Sequence, residues 1–293
     1  MLAPVVAGVD GSAESLAAAE WAVREAERRG RTLRLVHAWE RDPRPGREAS
    51  AGAVHRHLAR RVLRKAEDRV RGVSPGTRLE DEPVQGAAAE VLLHAAEQAD
   101  LLVLGSRGLS GFTGFLVGSV ALRVIAKAVR PVVLVRAGEE AADEHLSAAD
   151  GSASTRTGYR DVVLGIDVAD PCDEVIEFAF EEARLRGARL RAVYARQDGA
   201  PLDPKPHSST ADTARELLDD SLRVWREKYP DVEIRVTVAT GRAQSVLVRA
   251  ASGAALLVVG HRLADRPVGP RTGPVTHAVV HHVDCPVAVV PHP

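Results

Sequence analysis

The residues of this chain best suited to chemistry gather where short apolar runs end. The stretch "GSRGLSGFTGFLVGS" (105–119) follows the apolar run "DLLVL" (100–104) and leads into "SVALRVIAKAV", whose pattern predicts a helix. Gly105 and Gly108 lack a Cβ, so the backbone there can turn tightly and come close to a ligand. Gly118 and Ser119 stand where the helix begins. The first N–H groups of a helix are unpaired and lie at the positive end of its dipole, which suits phosphate oxygens. The Ser119 hydroxyl adds a donor, and Arg107 and Arg123 add charge. A second strand end, "VVAGVDGS" (5–12), carries Asp10. Its carboxylate suits ribose hydroxyls or a base amino group, and it suits the N-cap of the next helix equally well.

Other nucleotide signatures are missing. There is no GxxxxGK[ST] loop, and "GVDGS" is not GxGxxG, so neither a P-loop nor a dinucleotide site is expected. A nucleotide here would be held by backbone and helix dipole without a P-loop lysine. His37 reads as a packed histidine at a strand end. His277, His281, His282 and Cys285 cluster near the C-terminus, two of the histidines at a helical spacing that a metal can bridge. The repeat described below places Leu122, Ala126, Lys127 and Arg130 at the same positions, so no metal site is assigned. No catalytic residue is assigned either. The basic run "RHLARRVLRK" (56–65), with His55 and His57, reads as a solvated helix face because Glu67 and Asp68 follow.

These loops need a scaffold, and the sequence supplies it twice. "VVAGVDGS" (5–12) matches "VVLGIDVA" (162–169), "REAERRGRTLRLVHA" (24–38) matches "EEARLRGARLRAVYA" (181–195), and "RPVVLVR" (130–136) matches "CPVAVVP" (285–291). Within each copy, β-branched apolar runs alternate with amphipathic helical patterns, and Gly30 closes the first helix. In the second copy Asp170 and Pro171 predict an N-cap followed by proline at the first helical position. The fold class is therefore α/β, as two tandem five-stranded parallel-sheet domains of Rossmann-like type, with helices on both faces. The domains are expected at 1–137 and 159–293. A linker rich in Ala, Ser, Asp and Glu is expected at 138–158. In open sheets of this kind ligands bind beyond the carboxyl ends of the strands, where the strand order reverses. If strands one and four are neighbours there, the Asp10 loop and the glycine loop face one crevice.

Bulk properties narrow the partners. The 293 residues carry a net charge of -1 and are 45% hydrophobic. Near-neutrality removes the simplest argument for a nucleic-acid or membrane partner, and neither is expected. Cys172 and Cys285 have no CxxC spacing and read as free thiols in a reducing compartment. The N-terminus has no basic region before its short apolar run, and no stretch approaches the ~20 apolar residues of a membrane span. A soluble, cytoplasmic protein is expected.

The spacing G-x2-G-x9-G-[ST] at Gly105, Gly108, Gly118 and Ser119, with an aspartate closing strand one, resembles the ATP-binding type of universal stress protein. The resemblance covers both halves. It implies an adenine nucleotide alpha hydrolase-like fold and an ATP ligand with Mg2+. It also implies that backbone at Gly8, Val9 and Ala38 surrounds the adenine and that Asp10 lies on the ribose side. Ribose and phosphates would fall to Gly105, Arg107, Gly108, Gly118, Ser119 and Val120. Pairing of the last strands of the two halves, a homodimer and an unidentified protein partner are further implications. The second copy departs from the motif: Leu263 stands at the position of Gly108, Pro274 at that of Ser119, and Asp167 survives. Its site is expected to be empty or much weaker. The expected function is a regulatory ATP-binding stress protein that senses or sequesters nucleotide in its first half. The alternatives are a slow ATP hydrolase, although no HxGH or SGGxDS signature is present, and an interaction scaffold without nucleotide.

Overall fold

The structure is a computed structural model that describes residues 2–40, 48–106, 117–196, 210–263 and 272–293. The chain divides into two units at Glu140–Ala141.

In the first unit the elements alternate strictly: β1 (Val5–Gly8), α1 (Ala13–Arg29), β2 (Leu33–Trp39), α2 (Glu48–Val73), β3 (Leu79–Gln85), α3 (Ala88–Glu97), β4 (Leu101–Ser106), α4 (Ser119–Ile125) and β5 (Val132–Arg136). Continuous apolar runs make β1 and β5 buried along their whole length, as parallel strands covered on both faces must be. The strands pair in parallel in the order β3-β2-β1-β4-β5. Val5 faces Leu33 on one side and Leu101 on the other. β1 and β4 are thus neighbours, and the strand order reverses between them. The edge strand β3 carries Glu80, Asp81 and Glu82 exposed and Pro83 in its middle, features that discourage pairing with another chain.

Helix α1 shows how local chemistry sets the boundaries. Ser12 is its N-cap, accepting from the Ser15 N–H, and Gly30 closes it in the left-handed region at φ 61°. The Gly30 N–H returns to the carbonyls of Ala26 and Glu27, satisfying orphaned acceptors of the last turn. Helix α2 carries the basic run 56–65 and begins well before it, at Glu48.

The second unit repeats the pattern with β6 (Val162–Gly165), α5 (Asp173–Arg186), β7 (Leu190–Arg196), α6 (Thr210–Lys228), β8 (Ile234–Thr240), α7 (Ala243–Ala250), β9 (Leu256–Arg262), α8 (Pro274–His282) and β10 (Val287–His292). Its strands run parallel in the order β8-β7-β6-β9-β10. Gly187, at φ 57°, caps α5 as Gly30 caps α1. The two differ at the helix start. The expected cap at Asp170 with Pro171 at the first helical position is not formed: α5 begins at Asp173 behind Cys172, with no side-chain cap. Asp170 instead forms an ion pair with Arg262 at the end of β9. Phe180, Trp225 and Tyr229 stack between α5 and α6, with centroids 5.5–6.5 Å apart.

The stretch 138–158, expected as a linker, carries structure of its own that belongs to the second unit. A 3-10 turn at Ala141–Glu144 leads to an antiparallel bridge between His145 and Tyr159. The His145 ring lies 4.0 Å from that of Tyr159 and donates from Nδ1 to the Thr157 carbonyl (2.7 Å). Glu144 is 1% exposed and lies 3.9 Å from Arg186, which also pairs with buried Glu182. Composition alone does not reveal such an anchor, because a single buried carboxylate leaves no periodic signal. No helix among the described residues is long and apolar enough to cross a membrane.

The left-handed caps generate a measurable expectation. Gly30→Ala and Gly187→Ala should each lower unfolding stability by about 1 kcal/mol, the penalty of a Cβ at positive φ. Urea denaturation of each variant checks this, and an unchanged midpoint would contradict the cap assignment.

Candidate functional site

The crevice of the first unit opens where β1 and β4 end side by side. Beyond Gly8, the Val9 N–H still donates to Val36 O (2.9 Å). The Val9 carbonyl accepts from His37 Nδ1 (2.7 Å). Since a carbonyl can only accept, Nδ1 carries the proton and a neutral His37 presents Nε2 as an acceptor. His37 therefore ties the end of β2 to the end of β1, in keeping with a packed strand-end histidine.

The next residues form a closed network. The Asp10 N–H donates to Ser15 Oγ (3.2 Å), and Asp10 Oδ1 accepts from the Ser12 N–H (3.0 Å) and Ser12 Oγ (2.5 Å). Ser12 Oγ accepts in turn from the Ser15 N–H (3.2 Å). Asp10 is therefore not the helix cap. Ser12 is the cap, and Asp10 holds it in place. Lys65 on α2 donates to the Gly11 carbonyl (3.1 Å) from the other side. Gly11 is in the left-handed region at φ 84°, which the turn requires.

Glycine at the ends of β1 and β4 answers to packing. A Cβ on Gly105 would lie 2.5 Å from the backbone carbon of Glu14 and 2.7 Å from the Ser15 nitrogen. The missing side chain lets the first turn of α1 rest on β4. The sequence suggested that this glycine frees backbone for a ligand; its immediate neighbour is the α1 backbone. Gly8 is similar, its Cβ position lying 2.6 Å from Leu104 Cδ2 and 2.7 Å from Leu92 Cδ2. Gly118 differs. It is the N-cap of α4 at φ -60°, and a Cβ there would meet nothing within 4 Å.

Eight of the residues expected at the site line one cleft of about 250 Å³: Gly8, Val9, Asp10, Ala38, Gly105, Gly118, Ser119 and Val120. Arg107 and Gly108 lie outside the described residues. Arg123, expected to add charge, is ion-paired with Glu90 (2.6 Å) and does not line the cleft. The cleft also includes Ser12, Glu14 and Ser15 from the start of α1, and Ala88 and Leu92 from α3. The "DGS" turn signals the first group. The α3 pair could be found only by knowing which helix covers β1.

The second unit has a cavity of about 710 Å³ at the matching place. Tyr194 and Ala195 stand where His37 and Ala38 do, and Asp167 where Asp10 does, its Oδ1 accepting from the Ala169 N–H (3.0 Å). Burial, and to a lesser degree the charge of Asp167, push the Tyr194 phenol above its ordinary range. Burial and a hydrogen bond to Glu174 push the Cys172 thiol up as well, which disfavours thiolate chemistry. Leu263 does not line the cavity; its N–H donates to His292 O (2.8 Å). Pro274 opens α8 without an N–H. The C-terminal histidines form no ligand set. The His277 and His281 rings lie 4.4 Å apart, tilted by 40°, and among the described residues no three His, Cys, Asp or Glu groups converge as a metal requires.

Known proteins match this arrangement across its length. The Universal stress protein family matches residues 1–136 and 158–291. The chain belongs to the universal stress protein family. It is 29% identical over 299 residues to a universal stress protein of Mycolicibacterium smegmatis, covering 98% of this chain and 96% of that one. A Mycobacterium tuberculosis member is 30% identical over 304 residues, covering 97% and 96%. Among solved structures, a universal stress protein from Archaeoglobus fulgidus matches with a TM-score of 0.73 at 18% identity, covering 98% of each chain, a likeness of fold.

The contrast between two glycines is testable. Gly105→Ala should lower stability by about 1–3 kcal/mol through overpacking against rigid backbone. Gly118→Ala should change it by less than about 0.5 kcal/mol. Equal losses in urea unfolding would mean that α1 does not rest on β4 as described.

Proposed function

We propose that this family member is a regulatory nucleotide-binding protein that holds ATP in its first half and signals by occupancy. The reading is carried by one observation: the Asp10 turn, the end of β2 at Ala38 and the Gly118–Val120 corner line a single cleft at the strand switch. The volume of about 250 Å³ suits a base and sugar. The adenine would lie against Val9, Ala38 and Leu92, with ribose hydroxyls donating to Asp10. The phosphates would run out past Gly118, where a Cβ has open space, to the Ser119 hydroxyl and the first N–H groups of α4. Arg107 and Gly108 belong to the same proposed phosphate end by their place in the glycine motif. Magnesium would arrive on the phosphates and keep most of its waters, the ordinary habit of that ion, so no dedicated carboxylate cage is needed.

Binding rather than turnover is favoured by the commitments of the polar groups. His37 spends its Nδ1–H on the Val9 carbonyl, and Asp10 spends Oδ1 on the helix cap. Both look to the shape of the crevice. A stress-response role follows the family, and a cytoplasmic location is the compartment this reading expects.

The test is to denature purified protein, before and after ATP loading, and quantify nucleotide released per chain. One ATP per chain is expected. Gly118→Ala combined with Ser119→Ala should reduce ATP affinity at least about tenfold while leaving the thermal midpoint near wild type. Unchanged affinity in that double variant, by titration calorimetry, would sink the site assignment.

A further inference from the structure

The two crevices differ in how the following helix starts. In the first half the opening turn of α1 covers β4 so closely that Gly105 has no room for a Cβ. In the second half the residues aligned with Ala13 and Glu14 are Asp170 and Pro171, and α5 waits until Asp173. The nearest atoms to a Cβ on Gly260 belong to side chains, the His292 ring (3.0 Å) and a Val175 methyl (3.2 Å), where Gly105 has helix backbone. With that turn withdrawn from β9, the cavity reaches about 710 Å³, well within the size of small-molecule sites.

Its polar groups are set against an anion. Arg262 aligns with Arg107 in the repeat, but its guanidinium is ion-paired with Asp170, which stands where the first half has Ala13. Pro274 removes a backbone donor at the start of α8. Asp167 keeps a carboxylate at the rim. A phosphate would have to displace Asp170 from Arg262 and face Asp167 with one donor fewer. A neutral ligand meets no such obstacle. Ile166, Val193, Leu247 and Val259 supply apolar walls, and the Tyr194 hydroxyl has no hydrogen-bond partner among the described residues. Asp167 is an acceptor suited to sugar hydroxyls.

We propose that the second half binds an unphosphorylated nucleoside, with the Asp170 carboxylate occupying on Arg262 the place that a phosphate would take. The site is separate from the proposed ATP crevice and does not depend on it.

The experiment is calorimetric titration of the full chain with adenosine and with ATP. It uses Ala38→Trp, which fills the first crevice, and Ala195→Trp, its repeat counterpart, which fills the second. In Ala38→Trp, adenosine should bind one site per chain, and ATP should bind that site at least about tenfold more weakly. Adding Ala195→Trp should abolish the adenosine site. Adding Asp170→Ala with Pro274→Ser instead should raise ATP affinity at least about tenfold by freeing Arg262 and restoring a donor. Thermal melts check folding, and Ala243→Phe, at the start of α7, replaces Ala195→Trp if that variant fails to fold. No adenosine binding in Ala38→Trp, binding indifferent to both cavity-filling variants, or ATP bound as tightly as adenosine would overturn the proposal. Failure of the first-half reading shows separately, as wild-type ATP binding that Ala38→Trp leaves unchanged.

Discussion

The contact between the first turn of α1 and the end of β4 governs the architecture of the first crevice. Two backbones approach there with no side chain between them, which only glycine at position 105 permits. That approach fixes where α1 begins, and hence where its cap Ser12 must stand. Asp10 is then placed by its bonds to Ser12, and the cleft acquires its carboxylate as a by-product of helix capping. Gly8 against Leu92 and Leu104 performs the corresponding service for α3. Protein interiors are close-packed, so these absences of atoms act as positional constraints as firmly as any bond.

The duplication separates scaffold from site. Gly165 packs against Leu247 as Gly8 packs against Leu92, and Gly187 caps α5 as Gly30 caps α1. Those positions carry stability and have kept their residue types. Several crevice positions have not: His37 aligns with Tyr194 in the repeat, Ser119 with Pro274 and Ala13 with Asp170, although Asp10 and Ala38 keep their types at Asp167 and Ala195. Loops at the carboxyl ends of the strands can change because the sheet beneath is held by other contacts. The withdrawal of one helical turn therefore widened a cavity without disturbing strand order.

The sheet was legible because buried parallel strands are short apolar runs and the helices between them have clear periodicity. The adjacency of β1 and β4 was only a condition in the sequence, and it is the pairing of the strands that supplies it. Asp10, Gly105, Gly118 and Ser119 were legible because glycine, aspartate and serine at strand ends have few other reasons to cluster, whereas Gly8, Val9, Ala38 and Val120 came from the family resemblance. What escaped was decided by tertiary contact. Asp10 and Ser12 are both good caps, and only the geometry of the turn says which one is used. Asp170–Pro171 is a sound helix start by local rules, yet Asp170 is drawn to Arg262, far along the chain. The reason for Gly105 is a neighbour ninety residues away in sequence, roughly, and no pattern around the glycine announces it.

The segment between the two halves has consequences for how the protein can be divided or remodelled. A spacer can be shortened freely, but Glu144 is sealed beside Arg186, and the Arg160 side chain donates to the His145 carbonyl (2.6 Å). Cutting at the apparent end of the repeat, near Gly158, would remove one of the two buried carboxylates beside Arg186 and leave it Glu182 alone, a loss that a buried charge feels. The boundary between the two compact units therefore lies at Glu140–Ala141, before the start of the second sequence repeat. A second half meant to stand by itself therefore has to begin before Ala141, so that Glu144 and His145 stay with the arginines they meet.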